Sequence, residues 1–140
     1  MNTGLIVCNL SGNQSISSGA FTKVALDVVH LNTAPDIFSL IAGGDILMKN
    51  YSGPVRICAG LQAYCTDATQ FIAHYSVNGV RSDIMFQTPN ATGMAASGTI
   101  LCTLPAGSVV SMTARVIGTT PLVQGLAHPG PSSWLSMEIV

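Results

Sequence analysis

The chain has 140 residues, of which 48% are hydrophobic and only 8% charged, with a formal net charge of -1. Its five basic residues, Lys23, Lys49, Arg56, Arg81 and Arg115, are scattered, which excludes the clustered cations that nucleic acid or an anionic membrane surface requires. No apolar run approaches the roughly 20 residues of a membrane helix, and soluble domains usually carry about 25% charged residues, so much of the exterior is expected to be covered by other subunits.

The opening stretch MNTGLIVCNLSGNQS has neither the charged start nor the long apolar run of a secretory signal. Synthesis in a cytoplasm without export is therefore expected. In that setting Cys8, Cys58, Cys65 and Cys102 read as buried free thiols. The Asn-x-Ser/Thr triplets at Asn9, Asn13, Asn50 and Asn90 read as chance in a chain rich in those residues.

From here the period is two. In VALDVVHL, Val24, Leu26 and Val28 share one face while Lys23, Ala25 and Asp27 share the other. DIFSLIAGG leaves a helical turn and a short strand both open. In VRICAGLQAYC, Val55, Ile57, Ala59, Leu61 and Ala63 alternate with Arg56, Cys58, Gly60, Gln62 and Tyr64. Asn78-Gly79, between QFIAHYSV and VRSDIMF, predicts a two-residue hairpin turn, because both residues tolerate positive φ. Pro89-Asn90 and the stretch from Gly118 to Pro121 predict loops.

Pro105-Ala106-Gly107 predicts a second hairpin, joining GTILCTL to SVVSMTARV, in which Val110, Met112, Ala114 and Val116 alternate with Val109, Ser111, Thr113 and Arg115. After HPGPSS the last strand sets Leu135, Met137 and Ile139 against Trp134, Ser136 and Glu138. Strict alternation is the mark of strands with one face on a core. About eight or nine strands of roughly 7 to 12 residues, joined by short turns, predict an all-β antiparallel jelly-roll sandwich as one domain, 1–140.

Little in the sequence points to chemistry. His30, His74 and His128 share no metal-ligand spacing with each other or with an acid. No Gly-x-Ser-x-Gly elbow occurs, and Gly43-Gly44-Asp45 opens no helix that would cradle a phosphate. Cys58 and Cys65 are seven apart, so on one strand they face opposite sides about 23 Å apart. Either approaches Cys102 only if its strand is a neighbour. No enzyme activity, cofactor or metal is expected.

The order of these motifs resembles the tumour necrosis factor and complement globular-head superfamily, whose jelly roll is also used by phage virion and bacterial surface proteins. NQSISSGAFTKVALDVV is similar to the opening strands. GPVRICAGLQAYC resembles the strand after the "interior glycine" step, and HYSVNGV the hairpin that often carries Asn-Gly. GTILCTLPAGSVVSMTARV resembles the paired strands around the Leu-x-x-Gly-Asp-x-Val turn, with Ser108 where Asp is usual, and SSWLSMEIV the closing strand. The 6% of aromatic residues is low beside animal members, which favours the phage or bacterial branch.

The resemblance implies a homotrimer in which the sheet of first, central and last strands packs around a threefold axis. On that reading Arg56, Gln62, Tyr64, Trp134, Ser136 and Glu138 face the neighbouring subunits, with Arg56 and Glu138 as a candidate pair across the interface. The function implied is a bacteriophage virion protein, foremost a trimeric capsid decoration or cement protein that reaches the virion from the host cytoplasm. It would partner itself and the major capsid protein or another virion protein, with Met1 to Gly4 as a contact arm. A receptor-binding head of a phage fibre is the alternative, using the loops TPNATG and TTPLVQGLAHPGPSS; a bacterial surface or spore-coat jelly roll is a third.

Overall fold

The computed structural model describes residues 4–87, 93–125 and 133–140, with backbone alone for 82–87. Asn90, His128, most of TPNATG and HPGPSS, and the arm before Gly4 lie outside the described residues. The strands are β1 (Leu5–Asn9), β2 (Gln14–Ser15), β3 (Thr22–Lys23), β4 (Val28–Asn32), β5 (Phe38–Ile41), β6 (Asp45–Met48), β7 (Gly53–Val77), β8 (Val80–Gln87), β9 (Gly93–Leu104), β10 (Val109–Val123) and β11 (Trp134–Ile139). Every pairing among them is antiparallel. The open segment DIFSLIAGG resolves as β5 and its turn into β6.

The 25 residues of β7 organise everything else. Its first half pairs with β9 on one edge, Gly53↔Leu104 to Tyr64↔Gly93, and with β11 on the other, Val55↔Ile139 to Gly60↔Trp134. Its second half pairs with β8 and with β10, the latter running to Val77↔Val110. Laid straight, β7 would put its two ends roughly 80 Å apart. Yet β9 ends opposite Gly53, β10 begins beside Val77, and only Pro105–Ser108 join them, a reach of at most about 18 Å. The strand therefore doubles back. Asp67, at φ 57°, and the shifted registers between Ile117 and Leu122 mark the bend.

Two facing sheets result. The first runs β4-β1-β11-β7-β9 and the second β5-β6-β10-β7-β8, with β2 and β3 added along β10. The alternating residues meet between them. Val55, Ile57, Ala59, Leu61 and Ala63 from the first half of β7 are buried with Phe71, Ala73 and Tyr75 from the second. Val110, Met112, Ala114 and Val116 of β10 and Leu135, Met137 and Ile139 of β11 complete the core.

Several sequence expectations change: Gly118 to Pro121, expected as a loop, lie inside β10, and the described residues form eleven strands of 2 to 25 residues where eight or nine of about 7 to 12 were expected. Pro105–Gly107 do not close a hairpin, since β9 and β10 pair with opposite halves of β7 and not with each other. The turn instead carries the chain from one sheet to the other. VALDVVHL is likewise not one strand. Val24 and Leu26 are buried, but the chain leaves β10 after Val24 donates to Met112 O, tightens through the Leu26 N–H to Val24 O bond, and joins β1 as β4. Inward alternation is the same whether a strand stays in its sheet or crosses over, so the pattern cannot show the break. The Asn78-Gly79 turn forms as expected, with φ of 51° and 81°.

The crossing at Val24–Leu26 is buttressed by the β5–β6 turn. Gly43 and Gly44 both hold positive φ, 92° and 94°, which side chains disfavour by about 1–2 kcal/mol. A Cβ on Gly43 meets open space, whereas one on Gly44 would lie 2.4 Å from Val24 O and 2.7 Å from Leu26 N. Gly43→Ala is expected to cost about 1 kcal/mol, and Gly44→Ala at least about 2 kcal/mol more, in denaturant unfolding. Equal costs would show that the crossing is not closely packed against the turn.

Candidate functional site

The outer face of the first sheet is where the sequence-predicted residues gather. Each strand sends alternate residues outward, and the register aligns them in rows across the sheet. One row runs Leu5, Glu138, Arg56, Leu101; the next Leu31, Val7, Ser136, Cys58, Thr99; a third Val28, Asn9, Trp134, Gly60, Ser97; and Gln62 and Tyr64 continue on β7. All of Arg56, Gln62, Tyr64, Trp134, Ser136 and Glu138 are thus on one surface. Ser136 differs from the others in being 8% exposed, already screened within its own chain.

Charge on this surface is internally cancelled. Arg56 Nη1 donates to Glu138 Oε2 at 2.9 Å, between adjacent strands of one chain. The two were expected to pair across subunits; within one chain, strand register already makes them direct neighbours and partners. What surrounds them is apolar. Leu101 is 65% exposed, Leu31 44% and Tyr64 43%, and Leu5, Val7 and Trp134 are half-buried. Leaving such side chains in water forgoes about 25 cal/mol for each Å² that a partner would cover.

Trp134 is seated by an absent side chain. A Cβ on Gly60, its register partner, would stand 2.4 Å from the indole Nε1 and 2.8 Å from Cε2. The ring therefore lies on the bare backbone of β7, which presents it as a broad, flat element of the face. Sequence reading missed Gly60, Leu101, Leu5, Val7 and Leu31. The signal for Leu101 was available, since Thr99, Leu101 and Thr103 alternate with Ile100 and Cys102. Gly60 required knowing which residue sits opposite it.

The second sheet faces outward differently. On its outward rows Ser111 lies opposite Ser76, Thr113 opposite His74, Arg115 opposite Ile72 and Ile117 opposite Gln70, with Ser76, Ser111 and Thr113 buried and Lys23 paired to Asp45 at 3.0 Å near the edge. Its exposed apolar residues, Phe21, Ile41 and Val80, come from three separate segments, whereas Leu31 and Leu101 lie in adjacent rows of the first sheet.

All four cysteines are free. Cys58 faces outward opposite Thr99, while Cys102 lies across from Val55 on the other face, so the approach of those two thiols does not occur. Cys65 is buried and donates to carbonyls of Thr66 and Thr119. Burial pushes the Cys8 thiol up to about 11, and it raises Cys102 too; Cys65 is raised by burial and then by Asp67. Such thiols stay protonated and are poor nucleophiles. Among the described residues no group of three or more His, Cys, Asp or Glu side chains is placed to hold a metal ion.

No family model matches this sequence, and no curated protein matches it. Solved structures do. Murine APRIL at pH 5.0 aligns with a TM-score of 0.68 at 11% identity, over 99% of this chain and 100% of that one. Murine APRIL at pH 8.5 gives 0.67 over the same spans. Eiger TNF from S. frugiperda gives 0.61 at 13% identity, over 99% of this chain and 91% of that one. The fold is TNF-like. At these identities the likeness concerns architecture, and the all-β antiparallel jelly roll expected from the sequence is the one found.

Two measurements test this description. Trp134 is the sole tryptophan, so its emission reports its seat. Gly60→Ala is expected to shift that emission to the red and lower stability by about 1–2 kcal/mol; unchanged emission would show that the indole does not rest on Gly60. For Cys8, the folded thiol ionises near 11 against 9.0 when unfolded. Its contribution is full below pH 9 and is lost as pH rises towards 11, by roughly 2–3 kcal/mol. Unfolding titrations at pH 8 and pH 11 should show that loss, and Cys8→Ala should shrink it.

Proposed function

We propose that the chain is a homotrimeric structural protein that packs the outer face of its first sheet around a threefold axis, and that it serves as a capsid decoration protein on a bacteriophage virion. One observation carries the self-association: the neutral, apolar face built by Leu5, Val7, Leu31, Leu101, Tyr64 and Trp134 around a self-cancelled ion pair. The surface totals 6420 Å² and holds only eleven charged side chains, which supports covering a large part of it. Obligate interfaces resemble a core cut in half and bury about 2,000 Å² or more, and Trp and Tyr are frequent anchors in them.

The TNF-like fold supports a closed threefold arrangement by analogy with the trimers this fold commonly builds. A closed trimer matches the threefold and quasi-threefold junctions of a capsid, where one heterologous set of contacts repeats around the axis. There the protein adds buried area across neighbouring capsomers and acts mechanically, with no catalytic role. Paired Arg56 and Glu138 suit the interior of such an interface better than lone charges, because a buried charge without its partner is costly.

Sedimentation equilibrium at micromolar concentration should return three times the 14.5 kDa chain mass. Leu101→Asp should reduce it to one chain mass with the far-UV spectrum retained. A single-chain mass for the unaltered protein would overturn the trimer. Mixing the trimer with purified expanded phage capsids should then give saturable co-sedimentation at one trimer per threefold position. Binding to host cells and not to capsids would replace decoration with adhesion.

A further inference from the structure

The outer surface of the second sheet carries a feature that self-association through the first sheet leaves open. Phe21, in the segment leading into β3, lies 39% exposed on that surface. The guanidinium of Arg81, from the start of β8, stands over its ring at 3.9 Å from the centroid, and that of Arg115, from β10, at 5.4 Å. The His74 ring, from β7, sits 5.4 Å from the same ring at 60°. Two of only five basic residues in the chain thus converge on one aromatic side chain.

Both guanidinium groups are held, and neither forms an ion pair with an acid among the described residues. Arg115 Nε donates to Gly19 O at 2.8 Å and its Nη1 donates to Gln70 Oε1, which anchors the fork with donors to spare. Arg81 makes no hydrogen bond or ion pair with another described residue; the ring alone positions it. A guanidinium over an aromatic face is attracted by the ring quadrupole, yet its N–H donors lie in its own plane and stay available. Elsewhere among the described residues the cations are occupied: Lys23 by Asp45, Arg56 by Glu138, and Lys49 by the carbonyl of Pro35. In a chain of such low charge, two arginines gathered at one ring stand out.

We infer that Arg81, Arg115 and Phe21 form a recognition site for a carboxylate side chain, an Asp or Glu of a partner protein. The chemistry selects that ligand. Planar forks with free in-plane donors match carboxylate oxygens two at a time. A sugar would need a free aromatic face, and Arg81 already covers one. Nucleic acid would need far more cations than two. In a trimer the site occurs three times on outward surfaces, so weak single contacts add by avidity. The site depends on the fold and not on the oligomeric state, so it stands or falls separately from the trimer.

The test uses the full chain labelled with ¹⁵N, observing the arginine Nε–Hε signals during titration with a hexaglutamate peptide. Saturable shifts are expected at Arg81 and Arg115 and not at Arg56. Arg81→Gln and Phe21→Leu should each weaken binding at least tenfold, while Lys49→Gln should leave it unchanged. Absence of a saturable shift would overturn the site. So would an equal response to hexaglutamine, tighter binding of glucuronic acid than of the peptide, or equal weakening by Lys49→Gln.

Discussion

One strand serves both sheets. Because β7 doubles back at Asp67, its first half is the centre of the first sheet and its second half the centre of the other. Every other strand takes its register, directly or through one or two neighbours, from a residue of β7. The core between the sheets is then largely β7 facing itself, with β10 and β11 laid end to end along one edge. Long-range antiparallel pairing of this kind contributes nothing until the bend is made. The bend also determines which alternate residues face inward and which are presented outward on two separate surfaces.

Those two surfaces divide the chemistry of a charge-poor chain. On the first sheet the charges are spent on each other, Arg56 with Glu138, and the surroundings are Leu, Val, Tyr and Trp. On the second, Arg81 and Arg115 gather at Phe21, with no ion pair to either among the described residues. An apolar neutral surface is stabilised by meeting a like surface, since hydrophobic burial is non-directional. A positively charged polar surface gains nothing from its own copy and something from a complementary partner. The fold places the Leu101 and Trp134 face and the Phe21 arginine cluster on opposite sides of one sandwich.

Much of this was readable as alternation. The inward sets of β7, β10 and β11 are buried as predicted, and the outward sets of β7 and β11 contain Arg56, Gln62, Tyr64, Trp134, Ser136 and Glu138 on a common face. What alternation concealed was connection. A strand that crosses between sheets at Val24–Leu26 keeps its inward side chains inward, and a turn at Pro105–Gly107 has the same composition whether it closes a hairpin or spans the sandwich. The Arg56–Glu138 pair was foreseen as a pair but assigned to two chains, since complementarity of charge says nothing about which strands are adjacent.

The order of apolar and polar residues by itself determined that the chain would be all-β, that one face of each strand would be buried, and which residues those faces would carry. Burial of every second side chain is a local rule, and local rules are written along the chain. Only the tertiary structure decided that Trp134 lies on Gly60, that Leu101 joins Leu31 on one surface, and that Phe21 gathers Arg81 and Arg115 from different strands. Those meetings come from the folding back of β7 and the register it imposes, which are contacts between residues far apart in sequence and leave no period for a reader of the sequence to find.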